Sequence, residues 1–357
     1  MSDKVTHDPA LRCPGRAAGS NDTGRFEAVT RSFEPTAPGE SVLRTEVREE
    51  TPRKIITYNR SPDLPFDRSI NPYRGCEHGC IYCFARPSHA WLGLSAGLDF
   101  ETRLVARPDA PRVLARELRA PRYRVAPIAI GTNTDPYQPV EKTHEVTRAC
   151  LKVLQRFNHP VAIVTKGSLI ERDLDILSDM AGRGLVRVGI SLTTLDPRLS
   201  RRMEPRAPSP ARRLQVIERL AGAGVPVRVM TSPVVPGLTD HEIEALLKAG
   251  QGAGATAASW IMLRLPLEVS PLFREWLAAH YPDRAGRVMA RVREMHGGQD
   301  YSADWGRRMR GSGTYARMIA QRFDLAAKRL GLDRAQPRLR CDLFKPPPKP
   351  GDQLSLF

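Results

Sequence analysis

The chain of 357 residues is short of long apolar runs, of lysine and of aromatic side chains. No window approaches the roughly 18 consecutive apolar residues that a membrane-spanning helix needs. Residues 1–30 hold no apolar stretch of the kind that drives secretion, so the reading is a cytoplasmic protein with no membrane partner. Aromatic residues make up 6% and hydrophobic residues 41%, with 26% charged, which still fits a globular core and excludes wholesale disorder. Nine lysines leave 46 of the 55 basic residues as arginine, and the net charge is +16. A guanidinium pairs bidentately with phosphate and stacks on bases, so nucleic acid is a natural partner. An arginine-biased coding composition accounts for the same numbers equally well.

Cysteine is scarce too, and its distribution is informative. Of the six, Cys13, Cys150 and Cys341 are scattered, while Cys76, Cys80 and Cys83 crowd into eight residues. A disulfide framework belongs to small secreted chains, so the crowding points to a metal site. Cys13 reads as a bystander. Cys150 falls on the apolar-periodic stretch Val146–Phe157 and reads as a buried helical thiol.

Residues 1–60 are polar, rich in Gly, Pro, Ser and Arg, and lack a sustained period; they read as an irregular extension, in part draped over the body. A core domain follows over 61–285. Strands are expected near Ser69–Ile70 and at 127–130, 161–165, 186–191, 225–230 and 260–263. Helical periodicity fills 112–119, 142–157, 169–182, 209–223, 239–250 and 272–280. Six strands, each followed by a helix, imply right-handed βαβ units. The fold class is therefore α/β, a partial (β/α)6 barrel of the TIM type, with ligands at the C-terminal strand ends. Residues 286–344 read as a basic helical extension whose apolar positions Met318, Ile319, Phe323 and Leu330 pack on the barrel. Residues 345–357 form a Pro-rich tail.

Around the crowded thiols the sequence runs from Asn71 to Phe84 with the spacing C-x3-C-x2-C. Three thiolates on one loop can each hold one iron of a cubane and leave the fourth iron open. Gly75 and Gly79 let the loop curl around a bulky group. A zinc site would want a fourth Cys or His nearby, and His78 is the only local candidate. A ferredoxin-type carrier would supply four cysteines. Arg74 reads as an offset to Glu77.

This loop resembles the signature of the radical S-adenosylmethionine (SAM) superfamily. The resemblance covers about 66–270 and agrees with the expected barrel. It implies a [4Fe-4S] cluster on Cys76, Cys80 and Cys83, SAM bound at the open iron, and an external one-electron reductant. Electron transfer then gives methionine and a 5′-deoxyadenosyl radical. Tyr82 occupies the place where the family sets an apolar or aromatic residue near the adenine.

Polar residues follow three of the expected strands: Gly131–Glu141, Thr165-Lys166-Gly167 and Ser191–Asp196. With Arg172-Asp173, Glu204-Pro205 and Pro233–Asp240, they are similar to the spore photoproduct lyase branch. That likeness implies that Lys166 and Ser191 touch SAM, that Asp135 lies near cofactor or substrate, and that the enzyme, a lyase or an oxidoreductase, serves repair or modification of nucleic acid, DNA repair among them. The lyase has a cysteine just before the segment matching Asp135, whereas Gly131–Thr134 has none, and it has Tyr where this chain has Phe84. No other catalytic residue is assigned. The terminal Gln353-Leu354-Ser355-Leu356-Phe357 resembles the pentapeptide with which repair proteins dock on the bacterial DNA sliding clamp, with Gln353, Leu354, Leu356 and Phe357 as partner-binding residues. Two further readings stay open: a radical SAM enzyme acting on a small metabolite or peptide, and a non-catalytic iron–sulfur adaptor on the clamp.

Overall fold

Among the described residues four strands precede the first helix and six more alternate with helices: β1 (Glu46–Glu49), β2 (Ile56–Tyr58), β3 (Arg68–Ile70), β4 (Tyr73–Arg74), β5 (Arg103–Ala106), β6 (Ile128–Ile130), β7 (Val161–Thr165), β8 (Val186–Ser191), β9 (Val227–Val234) and β10 (Ala257–Met262). The structure is a computed structural model that describes residues 15–28, 30–31, 44–334 and 336–348. Seven strands form one sheet in the order β10-β9-β8-β7-β6-β3-β2. All neighbours pair parallel except β2, which runs antiparallel to β3 at the edge. The six parallel strands are the six expected from sequence, and they make the partial barrel. A second, small sheet has the order β1-β5-β4 and brings β4 up to the cysteine loop.

Local chemistry explains most of the elements. β7 and β8 are β-branched runs whose inward side chains Val161, Ile163, Val186, Val188 and Ile190 are fully buried. The helix Pro197–Met203 starts where the Asp196 side chain accepts from Arg198 N at 2.7 Å. Pro210–Gly222 starts where Ser209 accepts from Arg212 N at 3.3 Å, and both helices carry Pro in the first turn.

The expected helix 142–157 is interrupted. Glu141–His144 ends on Glu145 at φ +51°, and Val146–Arg156 begins anew. The buried Glu141 carboxylate accepts from the N–H groups of Thr147 (2.9 Å) and Arg148 (3.2 Å), so a side chain takes the place of the backbone acceptors there. Likewise 169–182 opens as a 3-10 turn, Ser168–Asp173, before Leu174–Gly182. Cys150 is buried on its helix, as its periodicity indicates.

Beyond the barrel the chain forms Val269–His280, Pro282–Met295 and Gly313–Arg329. The last of these buries Ile319 and Phe323, the latter ring 6.0 Å from that of Trp260 on β10. Met318 is 41% exposed and does not join that face, because Ala316, Ile319, Phe323 and Ala327 complete the inward stripe without it. From the N-terminal side, Ala17 N and Ala18 N donate to the two carboxylate oxygens of Glu101 at 3.1 and 3.0 Å. Cys13 and Gln353–Phe357 lie outside the described residues. Among the described residues no helix is long and apolar enough to cross a membrane.

His159 offers a check on the packing of the barrel wall. Its Nδ1 lies 2.9 Å from the Pro160 carbonyl, which can only accept, so Nε2 accepts from Tyr123 OH at 2.6 Å. Burial holds its pKa down to about 4. An unfolded chain takes that proton near pH 6.5. The folded state binds fewer protons between these values, so stability falls as pH drops through that window, with a slope approaching about 1.4 kcal/mol per pH unit. Thermal unfolding between pH 7 and 5 should show a shallower loss for His159→Gln than for the native chain; equal slopes would contradict the buried neutral imidazole.

Candidate active site

The cysteine loop runs from β4 to the 3-10 turn Arg86–Leu92. It folds inward, so its backbone polar groups must find protein partners. Cys76 N donates to Phe100 O at 2.9 Å and Ile81 N to Met203 O at 3.0 Å. Gln138 clasps the loop from both directions, accepting from Glu77 N at 2.9 Å and donating to Gly75 O at 3.1 Å. Arg86, with no exposed surface, donates to the carbonyls of Cys80, Gly79, Ala96 and Gly97 at 3.0–3.2 Å and to Glu101 Oε1 at 2.5 Å. Gly79 has φ +65°, and a Cβ there would sit 2.6 Å from Glu101 Oε2. That oxygen is pinned by Ala17 N, so the space is reserved for backbone.

All three thiols are free. Cys76 and Cys80 are buried and Cys83 is half-buried. Burial pushes each of them up, Cys80 to about 12, and Cys76 is raised further by the neighbouring Asp135, Cys80 and Cys83. Lys166 opposes this at Cys80 and Cys83. Three thiols that feel one another across a dry space are inert as such and become thiolates only beside strong cationic charge. The donor set and the glycine cradle thus fit a bulky iron–sulfur group. Among the described residues no three His, Cys, Asp or Glu side chains gather as a site for a single metal ion.

Around the loop, the strand ends deliver the other expected residues. Asp135 follows β6 and accepts from Thr165 Oγ1 (2.6 Å), Lys166 N (2.7 Å) and Tyr137 N (2.9 Å). His78 Nδ1 lies 3.3 Å from its Oδ2, close enough for ion pairing though misaligned for a hydrogen bond. Burial works against the carboxylate, yet His78 and the backbone donor of Lys166 hold it well below the usual range. Asp135 therefore ties the loop to β7, and its oxygens are largely occupied. Lys166, at the end of β7, stands 5.6 Å from the Tyr82 ring centre; although burial disfavours its charge, Cys80 and Glu204 raise its pKa. Ser191 Oγ donates to Ser232 O at 3.1 Å.

A buried network fixes Tyr82. Its hydroxyl donates to Glu204 and lies 3.3 Å from Thr193 Oγ1, which donates to the same Glu204 oxygen at 2.8 Å. Arg213 pairs with the other Glu204 oxygen and donates to Ser191 O at 3.1 Å and Pro208 O at 2.9 Å. Burial notwithstanding, Arg213 and Lys166 hold Glu204 down to about 2.

Sequence reasoning thus named Tyr82, Asp135, Lys166 and Ser191, and the structure brings them to one side of the barrel with the thiols. It passed over Arg213 and Arg86, and it took in Thr193 and Gln138 only as members of the polar segments after the strands. One signal was available: Arg213 shares a helical stripe with Val216, Ile217 and Leu220, where a charge implies a buried partner. Arg74 does not offset Glu77. It faces Glu50 at 3.8 Å, and Glu77 instead takes Thr45 (2.5 Å) and Arg206 (3.2 Å), because the loop turns its acid away from β4.

A family model for the radical SAM superfamily matches residues 70–249. An uncharacterised protein of Mycobacterium tuberculosis is 39% identical over 235 residues, 65% of this chain and 68% of that one. One of Methanocaldococcus jannaschii is 26% identical over 240 residues, 67% and 85% of the two chains. Among solved structures, spore photoproduct lyase complexed with dinucleoside spore photoproduct aligns with a TM-score of 0.58 at 14% identity, over 84% of this chain and 85% of that one. A point mutant of spore photoproduct lyase aligns at 0.57, again at 14%, over 80% and 79%. At such identity the likeness establishes the shared barrel fold.

The Glu204–Arg213 pair sets the stability of this wall. Arg213→Ala strands a buried carboxylate, a loss of about 3–5 kcal/mol. Urea unfolding should show that loss, with part of it recovered in the double variant Arg213→Met/Glu204→Gln. A single variant as stable as the native chain would contradict the network.

Proposed function

Because the chain belongs to the radical SAM superfamily, whose members are enzymes that use a [4Fe-4S] cluster and SAM, we propose that Cys76, Cys80 and Cys83 hold that cluster and that the enzyme repairs or modifies nucleic acid. When bound, the cluster supplies the electron that cleaves SAM to methionine and a 5′-deoxyadenosyl radical. The observation that carries this reading is the gathering of three free thiols, a half-buried ammonium and a fixed aromatic ring at the strand ends of one barrel.

Each residue has a task that its surroundings support. Lys166 keeps its charge in a dry wall, and a carboxylate such as that of SAM is its natural counter-ion. Tyr82, held by Glu204, offers a flat face that cannot swing. Ser191 and the unpartnered, buried Ser232 hydroxyl supply hydrogen bonds for the polar parts of the cofactor. Asp135 positions the loop through His78 and β7 rather than spending its oxygens on a ligand. Cys76 and Cys80 are buried, a setting that guards a reactive radical from quenching by water.

The nucleic-acid reading is supported by the charge of +16 and by the barrel shared with a lyase that was crystallised with a dinucleoside. The chain lacks a cysteine in Gly131–Thr134 and carries Phe84 where the lyase has Tyr, so another donor must return the hydrogen atom, and the outcome need not be dimer reversal. The enzyme draws on an external one-electron reductant and works in the cytoplasm. The clamp-like residues Gln353, Leu354, Leu356 and Phe357 would add recruitment to DNA.

Anaerobic protein given dithionite and SAM should release 5′-deoxyadenosine, carrying deuterium when a labelled oligonucleotide is the substrate. Cys80→Ala should abolish release. Lys166→Met should keep the cluster absorbance and raise the KM for SAM roughly 10- to 100-fold, the range for one charge-assisted hydrogen bond. Deoxyadenosine that never acquires deuterium from any nucleic acid, but does so from a small metabolite or peptide, would redirect the substrate. No deoxyadenosine at all would leave an iron–sulfur adaptor.

A further inference from the structure

The cysteine loop ends on a side chain that the cofactor reading does not use. Phe84 directly follows Cys83, and 43% of its surface is exposed. The Arg264 guanidinium carbon lies 4.7 Å from its ring centre and 6.0 Å from that of Tyr301, whose hydroxyl accepts from Arg264 at 3.4 Å. Arg264 stands just beyond the C-terminal end of β10, so this trio belongs to the rim on which ligands converge. Its Nε is buried without a hydrogen-bond partner.

Further aromatic rings are exposed. Trp305 is 63% exposed, on a turn held by Gly306 N and Arg308, which both donate to Asp63 at 2.7 and 2.6 Å. Trp91, 73% exposed, lies 4.5 Å from the Phe26 ring in the 3-10 turn that follows the cysteine loop. Arg25 sits 5.4 Å from the Phe26 ring centre and reaches Pro87 O in that turn at 3.5 Å. Guanidinium groups thus stand beside exposed rings at two places, Arg264 at Phe84 and Arg25 at Phe26, the latter guanidinium also pairing with Glu268. An apolar protein partner would want contiguous aliphatic surface, whereas flat rings interleaved with guanidinium groups suit stacked bases and their phosphates.

Resting on the nucleic-acid reading above, we propose that this rim is a stacking platform for unpaired bases of a single DNA strand, with Phe84 beneath the base nearest the thiols and Arg264 turned to its phosphate. A base inside a duplex stack cannot lie on Phe84, so the target must be single-stranded or extruded.

The test uses fluorescence anisotropy of a labelled oligothymidylate on the anaerobically reconstituted holoenzyme. Phe84→Ala should weaken binding about 5- to 100-fold, the range for losing one stacked base. Phe84→Trp should bind at least as tightly as the native chain, and a fully paired duplex more weakly than the single strand. Phe84→Ala that retains cluster absorbance and native affinity overturns the platform while leaving the nucleic-acid reading intact. An RNA strand bound more tightly than DNA overturns the choice of DNA. A native holoenzyme that binds no strand, or binds it with no dependence on salt, overturns platform and nucleic-acid reading together.

Discussion

A single buried guanidinium shapes the cysteine loop. Arg86 directs its five N–H donors at four backbone carbonyls and one carboxylate, and two of those carbonyls belong to the loop itself, at Gly79 and Cys80. Three side chains of the loop must point into one space while its backbone turns away from water. Unpaired carbonyls there would cost about 1–3 kcal/mol each. The rigid fork of arginine satisfies them without filling the space the thiols need, and lysine could not do so. Glu101 balances the charge and, through Ala17 and Ala18, recruits the N-terminal segment as the outer wall.

A second buried pair repeats the device on the far side of the loop. Arg213 and Glu204 fix Tyr82 and, through the Ser191 carbonyl, the end of β8. Lys166 and Asp135 add one charge of each sign, so the wall is nearly neutral before any ligand arrives. Such an arrangement supplies fixed dipoles and charges in a dry setting, where they act strongly on a bound ion or radical precursor.

Legibility from the sequence followed the range of the interactions. β7 and β8 were readable because β-branched residues recur along them with their inward side chains fully buried, and the thiol spacing was readable because it is local. Glu145 was not, since the break there depends on the Glu141 carboxylate captured by Tyr73, Arg172 and two backbone donors. The small sheet β1-β5-β4 was missed because its strands are short and set by pairing across distant segments. His78 was weighed only as a zinc ligand, whereas its partner Asp135 is distant in sequence. Buried ion pairs such as Arg86–Glu101 leave at most a charge on an apolar stripe as their trace, so their partners come from the fold alone.

The proposed function stands on Cys76, Cys80 and Cys83 as the residues that would hold the cluster, with Lys166 and Tyr82 proposed to meet SAM beside it. The most direct measurement is the electron paramagnetic resonance spectrum of the anaerobically reconstituted, reduced protein with and without SAM. The account predicts a [4Fe-4S]+ signal whose g-values shift on adding SAM, and loss of the cluster when Cys76 is replaced by alanine. A protein that binds only a single metal ion, or a cluster signal indifferent to SAM, would contradict it.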